Sequence, residues 1–276
     1  MRIKRFGVCI AALCAVAAVS AATETGYKEP FWLGGDISGM TADEARGRFV
    51  MNRDSVRVET TQLMKDYGMN ATRLRVWVNP KDGFCSPEDV LKMAKRSQAL
   101  GMPVMIDFHY SDWWADPGKQ NPPKAWLGMT LEQTEKALAD HTRQTLRLLK
   151  DNGIDVKWVQ VGNEATHGFL WPMGRFEENP VNYASLTKAG IKAVREVYPE
   201  AEVIIHLDNG FDQGLYDRVF DSLKSNEVEW DTIGISVYPY WTPEWNAEDD
   251  YRLGAFSRNM PTVIMDAFKE AASSAR

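Results

Sequence analysis

The chain has 276 residues, a length that suits one domain with a sizeable buried core. Its formal net charge is −6, so it lacks the basic excess that binding to nucleic-acid phosphates requires. Ten of its residues are tryptophan. Exposed indoles stack on the flat C–H faces of sugars, so this excess points mildly to a carbohydrate ligand.

The first 21 residues have the pattern of a secretory signal peptide. Three basic residues lie within the first five positions, an apolar stretch runs from Val8 to Val19, and Val19-Ser20-Ala21 offers small residues for cleavage. The apolar stretch is too short to span a bilayer. We expect export to the periplasm or beyond, and one domain over residues 22–276.

Short apolar runs then alternate with amphipathic stretches. The runs predict strands at Phe31–Gly35, Thr72–Val78, Pro103–Phe108, Val156–Val161, Val203–Leu207 and Thr232–Val237. The amphipathic stretches predict helices at Thr61–Tyr67, from the cap Ser86 to Gly101, Thr130–Lys150, Tyr183–Val197, Leu215–Leu223 and Arg252–Ala272.

This alternation predicts an α/β fold with a parallel sheet and right-handed crossovers. A doubly wound sheet and a (β/α)-barrel both fit the alternation. The barrel is favoured because no glycine-rich phosphate loop follows the first strand. It is also favoured because polar and aromatic residues follow almost every strand, where barrel active sites are built. About six βα units can be counted.

The residues that follow the strands form a polar ring at one end of the predicted barrel. Singly, each has a structural explanation: His206 suits a satisfied core histidine, and Arg75 suits a structural ion pair. Together they exceed what a core requires. The ring comprises Asp36, Arg75, Trp77, Asp107, His109, Tyr110, Asn163, Glu164, His206, Asp208, Tyr238 and Trp241.

Glu164 is the sharpest candidate in this ring. It follows the fourth predicted strand directly, in Val161-Gly162-Asn163-Glu164. Glycoside hydrolysis needs one carboxylic acid to protonate the leaving oxygen and a second carboxylate to attack or to activate water. An adjacent amide such as that of Asn163 can donate a hydrogen bond to a sugar hydroxyl. Glu164 is therefore the predicted proton donor.

The chain also resembles a known family, the arabinogalactan endo-β-1,4-galactanases, over nearly all of the predicted mature part. The segments that carry the likeness are Gly34–Ser38, Gly68–Asn70, Arg73–Trp77, Asp107–Trp114, Pro117–Gln120, Lys124–Trp126, Val159–Glu164, Gly168, Leu170–Pro172, Gly174 and Ile235–Trp241.

This resemblance implies a (β/α)₈ TIM barrel and retaining hydrolysis of internal β-1,4 bonds in galactan. It implies that Glu164 is the acid/base and Asn163 its sugar-contacting neighbour. Arg75, His109, His206 and Tyr238 would line the site of the cleaved bond. Stacking or packing is implied for Trp77, Trp113, Trp114 and Trp241, and further substrate contacts are expected at Asp36, Asp112 and Asp208. No cofactor or metal is expected.

The family's second glutamate, the nucleophile after the seventh strand, has no counterpart that we can identify. Glu244 and Glu248 lie in a polar loop and Glu270 in an amphipathic helix, so none ends a β-rich run. The expectation is a chain shortened at its C-terminus, with two βα units missing. An evolved binder without turnover is the alternative, although a binder has no reason to retain Glu164.

Three other functions remain open on sequence alone. A mannanase or cellulase on the same barrel is the first, and Asp112-Trp113-Trp114 with Trp171-Pro172 argues for a galactanase instead. A galactan-binding protein without activity is the second. A metal-dependent hydrolase is the third, and the wide separation of His109 and His206 in the chain argues against it. We expect a monomer that binds a polysaccharide and no nucleic acid.

Overall fold

The structure, a computed structural model, describes residues 31–210 and 212–238. The unit from Trp32 onward is built on a sheet of six parallel strands, each bonded to the next in spatial order. These strands are β1 (Gly34–Asp36), β4 (Ala71–Val76), β5 (Val104–Phe108), β6 (Val156–Val161), β7 (Glu202–Leu207) and β8 (Thr232–Ile235). All six predicted strands are therefore present, and Val156–Val161 has the predicted bounds.

Helices connect the strands and cover one face of the sheet. They are α2 (Thr60–Asp66), α3 (Pro87–Ala99), α4 (Leu131–Asp151), α5 (Pro180–Val197) and α6 (Gln213–Ser225). The predicted cap Ser86 accepts a hydrogen bond from the Asp89 backbone N–H, and Pro87 occupies the first turn. The predicted sixth helix, Arg252–Ala272, lies outside the described residues.

Between β1 and α2 the structure contains two elements that the sequence pattern did not predict. One is a six-residue helix, α1 (Met40–Ala45), whose N-cap Gly39 offers no side-chain cap. The other is a hairpin of β2 (Val50–Met51) and β3 (Arg57–Val58). Both are too short to show a hydrophobic period, which explains why they were missed.

The strands alternate their side chains between the helix layer and the inside of the curved sheet. Leu74, Ile106 and Ile205 are fully buried in the main core, on the helix side. The inner face has two layers. Its lower layer is apolar and contains Ala71, Trp158 and Ile204 with Trp32 and Met105 against them.

Towards the carboxyl ends of the strands, the inner face becomes polar. Arg73, Asp107, Gln160 and His206 occupy it, each two residues beyond a member of the apolar layer. The helix layer holds this arrangement closely. A Cβ added to Gly190 of α5 would lie 2.8 Å from Cγ1 of Val161 at the end of β6, so this helix packs directly against the strand that leads to Glu164.

Within residues 31–210 and 212–238, no helix is long and apolar enough to cross a membrane. The proposed signal peptide lies outside these ranges.

Candidate active site

Arg73 is the centre of a buried polar cluster at the carboxyl end of the sheet. Its guanidinium bonds to Asp36 at 2.6 Å and to Asp107 at 2.8 Å, from strands on either side of β4. The same side chain donates to Oδ1 of Asn163 at 2.8 Å and to Oε1 of Gln160 at 3.3 Å. Arg73 therefore connects its own strand, β4, to three other strands and to the turn that precedes Glu164. We call these five residues the Arg73 cluster.

Asp107 is the fully buried anion of this cluster. Burial alone would raise its pKa, but the charge of Arg73 and the hydrogen bond from His109 outweigh burial and lower the pKa to about 2. Burial alone would lower the pKa of the Arg73 guanidinium. The negative charges of Asp107 and Asp36 outweigh burial and raise that pKa. Both groups are therefore ionised over the whole working range of pH.

His109 is buried beneath this cluster, where a sugar cannot reach it in the described structure. Its Nδ1 accepts the Ala115 backbone N–H at 3.0 Å, so the proton resides on Nε2, which donates to Asp107 at 2.9 Å. The predicted lining residue His109 thus supports the cluster through its bond to Asp107.

Asn163 has both ends of its amide fixed. Nδ2 donates to the Ala115 carbonyl at 2.8 Å, and Oδ1 accepts from Arg73. Glu164 follows with a φ of +44°, a left-handed conformation that non-glycine residues adopt only under constraint. Such a conformation costs roughly 1–3 kcal/mol, so the surrounding contacts must impose it.

Two neighbours impose this conformation on Glu164. Its backbone N–H donates to Nδ1 of His206 at 3.1 Å, and the next N–H, of Ala165, donates to the His206 carbonyl at 2.8 Å. On the other side, Nε2 of buried Gln120 donates to the Asn163 carbonyl at 2.8 Å. The carboxylate is partly exposed, and its Oε1 accepts a hydrogen bond from the Tyr238 hydroxyl at 3.0 Å.

His206 is neutral in this setting. Burial, together with the nearby charge of Arg73, lowers its pKa to about 4. Since Nδ1 accepts from Glu164, the proton resides on Nε2, which donates to the Ser236 hydroxyl at 2.9 Å. The Tyr238 hydroxyl has a raised pKa because of burial and of the adjacent Glu164 charge.

The remaining predicted site residues fall into two groups. Asp112 and Asp208 organise loops: Asp112 accepts the Lys124 backbone N–H at 2.9 Å, and Asp208 accepts from the Thr166 hydroxyl. Arg75, Trp77, Trp113 and Trp114 lie together at a separate cavity between the loops that follow β1, β4 and β5. Trp241 lies outside the described residues.

Three residues of the site carried no role in the sequence interpretation. Arg73 was part of a quoted motif only, although it shares a strand face with Arg75 two positions later. Gln160 and Gln120 likewise belong to segments that carry the family resemblance, but no role was predicted for either. Tyr110 was placed in the polar ring but is a core residue, fully buried, with its hydroxyl bonded to Thr142. Alternation along β4 could have placed Arg73 on the same face as Arg75, although it could not have told their roles apart.

Comparison with known proteins identifies the family of this chain. The model of glycosyl hydrolase family 53 matches residues 32–264. The chain belongs to glycosyl hydrolase family 53. Among curated relatives of this family 53 chain, the endo-β-1,4-galactanase of Bacillus subtilis is 34% identical over 78% of this chain and 51% of its own length. The probable arabinogalactan endo-β-1,4-galactanase A of Aspergillus fumigatus is 36% identical over 76% of this chain and 61% of its own.

Solved structures give the same result. A fungal β-1,4-galactanase superposes with a TM-score of 0.73 and 31% identity, covering 77% of this family 53 chain and 65% of its own. The family 53 catalytic domain of Ignisphaera aggregans gives 0.74 and 30%, covering 89% and 76%. The prediction of a (β/α)₈-barrel family fold is confirmed, and six of its parallel strands lie in the described part of the chain. The chain spans about 60% of the length of the curated relatives it matches most strongly.

Proposed function

We propose that this protein acts as an endo-β-1,4-galactanase on galactan or arabinogalactan and that Glu164 is its acid/base. The observation that carries the proposal is the way Glu164 is held. Its backbone is constrained in a left-handed conformation by His206 and Gln120, and its partly exposed carboxyl group receives a hydrogen bond from Tyr238. Strained backbone that is fixed from several sides is typical of functional residues.

In the proposed mechanism, Glu164 donates a proton to the glycosidic oxygen as the bond to the anomeric carbon breaks. Tyr238 orients the carboxyl group and keeps its second oxygen directed to the substrate. Asn163 is set by Arg73 and Ala115 beside the sugar that is cleaved. In a retaining reaction, a second carboxylate about 5–5.5 Å from Glu164 forms the glycosyl-enzyme bond.

Glu244, Glu248 and Glu270, the candidates for that second carboxylate, lie outside the described residues. The assay must therefore separate turnover from binding. Reducing ends released from β-1,4-galactan are measured for the whole chain and for Glu164→Gln, with mannan and cellulose as competing substrates. We expect the whole chain to release reducing ends from galactan and not from mannan or cellulose. The rate of release should be at least 100-fold lower in Glu164→Gln.

Release from mannan or cellulose at a higher rate would instead favour the related glycosidases. Affinity for galacto-oligosaccharides without new reducing ends would favour a galactan-binding protein. The matched control is Glu178→Gln, because Glu178 is an exposed carboxylate in the loop after β6 that pairs with Arg175.

We also infer that residues 1–21 direct export and are then removed, and that the mature protein is a monomer that does not bind nucleic acid. The basic start and short apolar stretch support the first inference, and the net charge of −6 supports the last. N-terminal sequencing of secreted protein, light scattering and a gel-shift assay test them in turn.

A further inference from the structure

A second cavity lies beside the candidate active site. It has a volume of about 270 Å³ and opens between the loops that follow β1, β4 and β5. Its lining includes Arg75, Trp77, Trp113 and Trp114, together with arginines 46 and 48. The volume is near the lower end of ligand sites, roughly 300–1,000 Å³, so the cavity suits one sugar ring better than a chain.

Two buried hydrogen-bond donors along this cavity have no acceptor among the described residues. They are Nε of Arg75 and Nε1 of Trp77, and both side chains are at most 5% exposed. A buried donor without a partner costs roughly 1–3 kcal/mol. Both atoms are closed to water, so an acceptor oxygen that reached them by displacing a neighbouring side chain would remove that cost.

Arg75 is also a buried cation without a carboxylate partner in the described part of the chain. Its guanidinium lies 3.8 Å from the Trp114 ring centre and 4.6 Å from that of Trp77, and one of its nitrogens donates to the Cys85 sulfur at 3.4 Å. Cation–π contacts compensate part of the charge. They supply no acceptor for the Nε–H.

The charges around the mouth of the cavity favour an anion. Arg48 is already paired with Asp43 at 2.9 Å. This leaves Arg46 and Arg75 as positive groups against Asp82. Arginine matches a carboxylate with two parallel hydrogen bonds. Trp113 and Trp114 are 55% and 45% exposed, so their rings can pack against the face of a sugar.

We propose that this cavity is a second carbohydrate site, which binds a sugar ring that carries a carboxylate, that is, a uronate. The carboxylate is bound by arginine, the ring packs on the exposed indoles, and ring or carboxylate oxygens accept from the buried donors. Glu164 is not among the residues that line this cavity, so occupancy of the cavity does not require galactan cleavage. It would let the protein bind where acidic sugars accompany its substrate.

The test compares galacturonate with galactose, which carries a CH₂OH group in place of the carboxylate. Calorimetry on the whole chain is expected to give at least tenfold tighter binding of galacturonate. Arg46→Gln should weaken that binding three- to tenfold, whereas Arg218→Gln, which removes a charge from exposed α6, should not. Glu164→Gln should bind galacturonate normally, and excess galactobiose should not displace it.

Equal affinities for the two sugars, or displacement by galactobiose, would overturn the proposal. Trp77→Phe keeps an aromatic ring but lacks the Nε1 donor, and it should weaken galacturonate binding about threefold or more. If Trp77→Phe does not fold, the Arg46→Gln result decides, because Arg46 is exposed and outside the core. Unchanged affinity in Arg46→Gln contradicts the assignment. All of these experiments measure binding, so their results can be interpreted even if the chain does not hydrolyse galactan.

Discussion

Glu164 and His206 are joined through the backbone of one and the ring of the other: the Glu164 N–H donates to Nδ1 of His206 at 3.1 Å. The other ring nitrogen donates to Ser236. The imidazole therefore connects the turn after β6 with the end of β8. This geometry can be tested with two amide substitutions that each keep one of its bonds.

In His206→Asn, the amide oxygen can replace Nδ1 and accept from Glu164. In His206→Gln, the longer amide reaches Ser236 but leaves the Glu164 N–H without its acceptor. We expect His206→Asn to keep galactan hydrolysis within a few-fold, and His206→Gln to lose roughly tenfold more, since a net hydrogen bond contributes about 0.5–1.5 kcal/mol. Steady-state rates on galactan measure the difference. Equal losses in both variants would show that the link to Glu164 is unimportant.

Gln120 should act as a positioning residue for Glu164, because its amide holds the carbonyl oxygen of the preceding Asn163. Gln120→Glu keeps the size but loses the donor. We expect a loss of about tenfold on galactan and a much smaller loss on an aryl galactoside whose leaving group needs no proton. The ratio of the two rates is the measurement.

Gln133→Ala is the control for Gln120, because Gln133 belongs to the capping box of α4 and should change stability only. A Gln120 variant that loses both substrates equally would indicate a general structural role.

Asp107 should contribute strongly to stability. Replacing it with Asn removes the fully buried anion of the pair and leaves the partly exposed Arg73 with Asp36 as a carboxylate partner. Breaking a fully buried pair costs roughly 3–5 kcal/mol, and the partial exposure of Arg73 lowers the expected cost towards about 2–3 kcal/mol. The free energy of unfolding in urea is the measurement. Asp140→Asn, which alters an ion pair on the surface of α4, should cost below about 1 kcal/mol. A loss in Asp107→Asn no larger than that of Asp140→Asn would refute the prediction.

The protein should lose stability in mild acid through two buried histidines. Burial lowers the pKa of His141 and of His206 to about 4, from an ordinary 6.5. Below pH 6.5 the unfolded chain therefore binds protons that the folded chain does not, so stability falls as the pH falls towards 4. The expected loss between pH 6.5 and 4.5 is on the order of 2 kcal/mol for each histidine.

Urea unfolding at pH 7, 5.5 and 4.5 measures this slope. His141 packs edge-on against the rings of Phe108 and Trp126. His141→Phe preserves an aromatic ring there and should flatten the pH dependence by about half. Asp107 stays ionised in the folded chain throughout this range, and in the unfolded chain its ordinary pKa of 3.8 lies below the range, so it adds little to the slope. An unchanged slope in His141→Phe would contradict the assignment.

The order of elements and the position of Glu164 followed from the sequence, because buried strands and amphipathic helices have distinct periods. The end of β6 was identified to the residue, since an apolar run changes there to Gly162-Asn163-Glu164. The role of Arg73 did not follow. Arg73 and Arg75 stand two positions apart on one strand face, and only the three-dimensional neighbours, Asp107 for one and the indoles for the other, distinguish them.

The same limit applies to Gln120. Nothing in a loop sequence shows that one amide reaches a carbonyl 43 residues further along the chain. The observed bounds of a helix also differ from the predicted ones where local chemistry competes with the hydrophobic period. Helix α5 begins at Pro180, three residues before the first apolar position used to predict it, because proline is well suited to the first turn of a helix.

The two-layered inner face has a consequence for attempts to change what the protein acts on. The Arg73 cluster supports both the turn that carries the acid group and the contacts between neighbouring strands, so substitutions there cannot alter selectivity without endangering the fold. The loops that carry Trp113, Trp114 and Arg46 are exposed and lie outside that shared framework. A mutant library aimed at new sugars should therefore vary those loops and leave the strand ends untouched.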